Sequence, residues 1–546
     1  MDILETRLGS VEYSALTERD KSQIQQLLHE TSPDKILPLE QISTISIDSD
    51  KVLRAIASKA RVITSIYIHI ASAPTDQIDL DAWIVYSRKL VPLICRLLRP
   101  LPEKWITAED AYVETKTRWK QQQEFKATAT VLLRSLKEVL SFLPDLQDID
   151  LRELVQSLAT YTLNDDPWCT TDSTDLATAL LNTYSQSFDY PDIGHAILSE
   201  TVRPVFEHSR KKQVTSVGTL SASRDHELES SFDTDEAKVW SVLRPEAATL
   251  VLFVLSHVKD DRFTTTNWGL IVPPTLSILD DANPIYKTRG CQILHLLLAQ
   301  TPPQFILIRG LTVLFWDSLT ACLAYLPLGT SAISLPESLK LLDEAYDTLL
   351  ALSSIRAQDV GSKRASTTAA HTPDPSATRA YNQKHARYLS EILVTGIYHS
   401  LSLCGEKVEV SELLVRKLGA IAAAMDVYFV LHLQTSTKLL VDILSDPFAT
   451  LYTPLLFTTL DALDVIIEIT VPRISTYRFQ LLKGLLVCWK QACESEDGGE
   501  DMAELKSRLK NTVALLKAKT ASAEVDSWQD TVAAVNDLGS AYRGLL

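Results

Sequence analysis

Apolar residues recur at helical spacing along most of the chain, and strict alternation of apolar and polar positions is nowhere sustained. A period near 3.6 gathers apolar side chains on one face of a helix, whereas a half-buried strand needs a period of two. The pattern predicts an all-α chain of roughly twenty helices. The plainest runs are 50–73, 80–98, 151–163, 173–185, 192–208, 237–258, 305–326 and 335–354. A second set follows at 385–403, 411–432, 435–444, 453–470, 472–493, 505–520 and 526–545. Pro100, Pro144, Pro327 and Pro447 stand where runs stop, because proline cannot continue a helix. Most spacers are short, as between antiparallel neighbours.

Residues 270–298 carry the most specific pattern, LIVPPTLSILDDANPIYKTRGCQILHLLL. An apolar helix containing Pro273 and Pro274 ends at Asp280 and Asp281, and the pair should kink it. The turn Ala282-Asn283-Pro284 leads into a second helix with Lys287, the small Gly290, then Leu294, Leu297 and Leu298 at helical spacing. This predicts a HEAT-like antiparallel hairpin in which Asp281 and Lys287 lie close across the turn. In stacked repeats such residues form ladders between units; an ordinary hairpin with a chance Asp/Lys pair is the plainer alternative. HEAT-type units stack into solenoids that serve mostly as scaffolds.

Two stretches break the periodicity. Residues 209–236 are rich in Ser, Thr and charge, and 356–382 in Ala, Ser, Thr and Pro. Neither offers enough apolar surface to offset ordering. The organisation expected is an N-terminal helical region (1–208), a flexible loop (209–236), HEAT-like repeats (237–355), a disordered linker (356–382) and C-terminal helical repeats (383–546). The linker is either a regulated tether open to phosphorylation or a passive insertion.

Composition narrows function. The 546 residues exceed one compact core, and 46% of them are apolar. A net charge of -16 argues against direct nucleic-acid binding, since the one tight basic run is Arg210-Lys211-Lys212. The seven cysteines are odd in number and include no CxxC, as in a reducing compartment. The N-terminus lacks the pattern of a signal peptide, and the most apolar stretch, 418–433, is interrupted by Asp426 and too short to span a bilayer. No membrane contact is expected, and the location expected is cytoplasmic and nuclear.

Phosphate loops, GxGxxG, HExxH, GxSxG and EF-hand patterns are missing from the sequence. His69, His257, His295 and His399 lie within apolar helices, where a hydrogen-bonded core histidine is the ordinary outcome. Asp165-Asp166 and Asp280-Asp281 stand at helix boundaries, where carboxylates cap or face water. Cys488 and Cys493 fall on different faces of one helix. No catalytic residue, cofactor or metal is expected.

Two blocks together, 268–328 and 446–490, resemble the Tti-two family, the second Tel-interacting subunit of the TTT cochaperone complex. The features that carry the resemblance are the run from Leu279 to Gly290 and Gly310 with Phe315 and Asp317. Tyr325-Leu326-Pro327, Pro472-Arg473-Ile474, and Lys483-Gly484 with Trp489 complete it. It covers roughly 240–490. It implies a non-enzymatic α-solenoid subunit held by two larger helical-repeat partners, the Tti-one and Tel subunits. Through the Hsp90 chaperone and the R2TP cochaperone, that assembly would support maturation of phosphatidylinositol-3-kinase-related kinases. Telomere maintenance, the DNA-damage response and TOR signalling would depend on it. Asp281, Lys287, Asp317, Pro472, Arg473, Tyr477, Lys483 and Trp489 are the candidate partner-binding or repeat-ladder residues. Arg473 suits a partner carboxylate or the cap of a neighbouring repeat, and Tyr477, Trp489 and Trp316 suit either interface or core. The competing readings are a HEAT-repeat nuclear transport receptor or other adaptor, and an enzyme with an unrecognised site.

Overall fold

The computed structural model describes residues 18–30, 50–72, 79–100, 115–207, 244–328, 333–358, 375–494 and 499–520, with isolated residues between them. Among the described residues every regular element is helical. The chain divides into two compact units, Met1–Thr301 and Pro302–Leu546.

The first unit contains α1 (Glu18–Glu30), α2 (Asp50–Ser72), α3 (Leu80–Leu97), α4 (Thr115–Phe142), α5 (Leu151–Ala159) and α6 (Thr171–Thr183). It continues with α7 (Tyr190–Ala196), α8 (Ala247–His257), α9 (Asp261–Thr266), α10 (Trp268–Leu279) and α11 (Pro284–Gln300). A π-helical stretch, Ile197–Val202, joins α7 to a last turn, Arg203–Phe206. Local chemistry sets the starts. Asp150 accepts from the amides of Arg152 and Glu153, and Thr170 with Ser173 forms a reciprocal capping box. Helices pack on close chain neighbours, α2 and α3 on α4, α5 on α6, and α10 on α11, which is the contact pattern of stacked hairpins.

The second unit contains α12 (Pro303–Arg309), α13 (Thr312–Cys322), α14 (Leu335–Arg356), α15 (Pro375–Glu391) and α16 (Val408–Met425). It continues with α17 (Leu433–Leu444), α18 (Thr453–Ile469), α19 (Arg478–Glu494) and α20 (Glu500–Thr520). A π-helical stretch, Ile392–Tyr398, carries α15 on to His399–Cys404. Helices α16, α18 and α20 pack side by side in one layer, and α17 packs on α19 in the other. This is the two-layer stack of antiparallel hairpins that makes a HEAT-like α-solenoid. Lys417 ties α16 to α14: its ammonium, 7% exposed, bridges Asp343 at 2.7 Å and Asp347 at 2.6 Å on α14.

Several boundaries differ from the periodicity. The run 305–326 is two helices, because Gly310 takes a left-handed φ of 74° and ends α12. The run 411–432 ends as an α-helix at Met425, and Asp426, with φ 50°, turns the chain into a 3-10 stretch. In the segment 237–258, Trp240 is helical and α8 runs from Ala247, with 237–239 and 241–243 outside the described residues. At the linker expected over 356–382, Arg356 closes α14 and 375–382 open α15, with Pro375 at its first position; 359–374 lie outside the described residues. The loop expected over 209–236 is outside them too, apart from Thr219, as is most of the final helix expected over 526–545.

Neither low-complexity stretch divides the compact units. The π-helical end of α7 packs on α8, and α14 packs on α15. The division falls instead between Thr301 and Pro302.

Burial pushes the Asp464 carboxyl on α18 up to about 6, opposed by a hydrogen bond with Thr512 and by the Arg508 charge, with Asp461 and Glu468 adding to the rise. A carboxyl whose folded pKa is raised favours the folded state at low pH, and that contribution is lost as the pH rises through the folded value. At neutral pH the fold therefore bears a partly buried charge. Asp464→Asn is expected to stabilise the protein by about 1 kcal/mol at pH 7.5, discounted for partial exposure, and to give no gain near pH 4. Thermal melts at the two pH values check this.

Candidate functional site

Two places gather the residues singled out by sequence. The first is the hairpin α10–α11. Asn283 accepts from the Ile285 amide at 3.0 Å and starts α11, while Asp281 accepts from the Asn283 amide at 2.8 Å. Lys287 is buried and reaches back, its ammonium donating to the Leu279 carbonyl at 2.7 Å. Carbonyls of a last helical turn have no partner within the helix, so this cation closes the end of α10 and locks the hairpin.

Two residues further on, Arg289 is 3% exposed. Its Nη2 lies 3.4 Å from Asp166 and 3.8 Å from Asp165, and its Nη1 donates to Gln292 at 2.9 Å. The Thr249 hydroxyl donates to the other Asp166 oxygen at 2.6 Å. Asp166 is therefore no solvent-facing cap. It is a buried carboxylate joining α11 and α8 to the loop after α5. Burial raises its pKa, opposed by the Arg289 charge and the Thr249 hydrogen bond. Sequence reasoning passed over Arg289 because a single arginine on an apolar helix carries no motif. The available signal was a charge inside the densely buried run from Tyr286 to Cys291.

The second place is the stretch 471–489. Pro472 and Arg473 belong to the short turn Val471–Ile474, and Arg473 is exposed. Tyr477 is half-buried, Lys483 is exposed on α19, and Trp489 is core, with the Lys510 ammonium 5.4 Å above its ring. Sequence reasoning missed Phe479. It is 64% exposed, sits four residues before Lys483 on the same face of α19, and lies under the Arg478 guanidinium at 4.5 Å. Phe479 and Lys483 thus share an exposed face of α19, while Arg478 is buried. Asp317 is exposed on α13. Trp316 is core: its indole donates to Glu391 at 3.2 Å, and Arg356 lies between its ring, at 4.6 Å, and that of Tyr388, at 4.4 Å. Asp281 and Lys287 belong to the first unit and the other six candidates to the second.

Two Ser–His pairs come within hydrogen-bonding distance. Ser353 donates to the Leu350 carbonyl at 2.7 Å, so at 3.0 Å it accepts from His385 Nε2. A serine whose proton is committed in this way is not activated as a nucleophile. Ser390 and His432 are 2.7 Å apart, but among the described residues no carboxylate is hydrogen-bonded to either imidazole, and burial lowers both histidine pKa values. Among the described residues, no three His, Cys, Asp or Glu side chains cluster as a metal site. Six cysteines are buried and Cys493 is exposed. What the arrangement offers is surface for binding.

A family model described as the Tti2 family matches residues 154–451. The match begins well before the stretch that carried the sequence resemblance, covers its first block, and ends early in the second, leaving Pro472 to Trp489 outside. Among solved structures, the chain is similar to Kap121p bound to Ste12p at 12% identity and a TM-score of 0.38, covering 96% of this chain and 54% of that one. It is similar to importin beta at 11% identity and a TM-score of 0.38, covering 98% and 68%. The chain thus spans about half the length of that Kap121p structure. Likeness at this level carries no functional weight. No single helix among the described residues is long and apolar enough to cross a membrane.

Proposed function

We propose, from the premise that this chain belongs to the Tti2 family, whose model covers more than half of it, that it is a non-enzymatic scaffold subunit of the TTT cochaperone complex. The family match carries the reading. Stacked helical hairpins support it, because such layers offer long surfaces to other chains and assemble no reacting centre. The partners proposed are the Tti-one and Tel subunits, and through them Hsp90, R2TP and the phosphatidylinositol-3-kinase-related kinases, in cytoplasm and nucleus. The contribution to those kinases is to their maturation and stability, with no chemistry of its own.

The surface proposed for the Tti-one contact lies in residues 383–546, with exposed Arg473 on the turn before α19 and exposed Phe479 and Lys483 on one face of α19 as its candidate residues. An exposed aromatic beside cations on an otherwise acidic chain is suited to an acidic, partly apolar partner segment. The test is affinity purification of the tagged full chain from its own cells, with mass spectrometry of what copurifies. Two larger helical-repeat proteins are expected in near-equal amount. The variant Arg473→Glu/Lys483→Glu should fold with an unchanged melting curve and recover at least tenfold less Tti-one. Loss of two central contacts of this kind is worth about 1.4 kcal/mol or more. Full recovery by the variant would place the contact elsewhere, and absence of both proteins from the wild-type sample would overturn the scaffold reading.

A further inference from the structure

The first unit carries an open groove of about 630 Å³ that the scaffold reading leaves unused. One wall is the segment from Phe188 to Pro191 at the start of α7, and the other runs from His257 to Asp260 between α8 and α9. We propose that this groove binds an extended proline-containing peptide segment that carries a basic residue.

Ring placement is the first support. The rings of Tyr190 and His257 are 5.2 Å apart and tilted by 34°. Phe188 continues the series at 5.9 Å from Tyr190, and Phe253 backs His257 at 4.0 Å. The Tyr190 and His257 rings touch, so the two walls meet there in one aromatic face, and such a face suits proline rings packing on it. A polyproline-II segment is already extended, so it loses little conformational freedom on docking.

Hydrogen-bonding capacity is the second. His257 Nδ1 lies 2.9 Å from the Phe253 carbonyl. A carbonyl can only accept, so in the neutral ring Nδ1 carries the proton and Nε2 presents a lone pair. The Tyr190 hydroxyl makes no hydrogen bond to the described residues, and burial raises its pKa, so it keeps its proton as a donor. A polyproline-II backbone has no internal hydrogen bonds, so its carbonyls are free to accept from Tyr190.

Charge supplies the third. Asp189 uses one carboxylate oxygen to cap α7, accepting from the Asp192 amide at 3.3 Å, and Asp260 caps α9 through the Arg262 amide at 3.0 Å. Each keeps its second oxygen for a ligand. Lys259 is the lone cation among the lining residues, so two carboxylates face one ammonium. That balance favours a basic side chain beside the prolines.

The test uses the full chain and fluorescein-labelled octaproline with one N-terminal arginine, read by fluorescence anisotropy. Octaproline with N-terminal glutamate and a Gly-Ser peptide of equal length are the comparison probes. The arginine probe is expected to bind in saturable fashion, the glutamate probe at least fivefold more weakly and the Gly-Ser probe not at all. Tyr190→Phe keeps the ring and removes the hydroxyl, and should weaken the arginine probe about fivefold, the value of one hydrogen bond. His257→Ala should weaken it more, through loss of a wall. Asp189→Asn/Asp260→Asn keeps both caps, because asparagine caps as well as aspartate, and should erase the preference for arginine over glutamate. Circular dichroism confirms folding of each variant. No saturable binding, binding indifferent to Tyr190→Phe and His257→Ala, or equal affinity of wild-type protein for both charged probes would each overturn the proposal. None of these outcomes depends on membership of the TTT complex.

Discussion

Arg289→Ala is expected to destabilise the protein by about 3 to 5 kcal/mol, enough to lower the melting temperature by roughly 10 °C. The magnitude follows from what stays behind. Asp166 and Arg289 are each 3% exposed at the side chain, so removing the guanidinium strands a carboxylate where water cannot solvate it. Thr249 still donates to that carboxylate but cannot neutralise it. The sign of the pH dependence is fixed by the same physics. With Arg289 gone, the opposition to burial is lost and the Asp166 pKa rises further. A raised carboxyl stabilises the folded state below its ordinary pKa and stops doing so as the pH rises through the folded value. The deficit of the variant should therefore shrink as the pH is lowered from 7.5 towards 4. Replacing both residues by apolar ones of similar volume, Asp166→Leu/Arg289→Met, should recover much of the loss, since it removes the stranded charge as well as the pair. Thermal melts of the single and double variants across pH check both claims. A pH-independent deficit, or a double variant no better than the single, would show that Arg289 acts by packing and not by charge.

Gly290→Ala is expected to cost about 2 to 3 kcal/mol even though alanine is the better helix former. A Cβ at Gly290 would lie 2.8 Å from Leu279 Cγ and 2.9 Å from the Leu279 backbone nitrogen. The side chain can rotate away but the backbone cannot, so α10 and α11 must separate. Lys287 bonds the carbonyl of that same Leu279, so the separation also strains the clasp of the hairpin. Adding Leu279→Ala should restore little, because the backbone clash remains and a cavity is added. A double variant as stable as wild type would mean that the side chain alone sets the distance between the helices. Chemical denaturation of the three proteins decides it.

The sequence by itself determined what depends on near neighbours along the chain. Helical periodicity and the Asn283-Pro284 start of α11 act within a few residues. The all-α class and the 268–300 hairpin were legible for that reason. The family resemblance was legible as well, although its extent was not. Tertiary structure alone decided which charges meet. Arg289 finds Asp166 across 123 positions, and Lys417 finds Asp347 across 70. A chain read in order cannot weigh such pairs, because their energy comes from removing both groups from water together. Burial was decided the same way. Trp489 and Phe479 lie on one helix, yet the layer packed against α19 covers the first and leaves the second in solvent. The groove at Tyr190 and His257 exists only because hairpin packing brings the start of α7 to the end of α8. Helix formation is a local equilibrium of backbone and caps, whereas burial is a property of the packed whole.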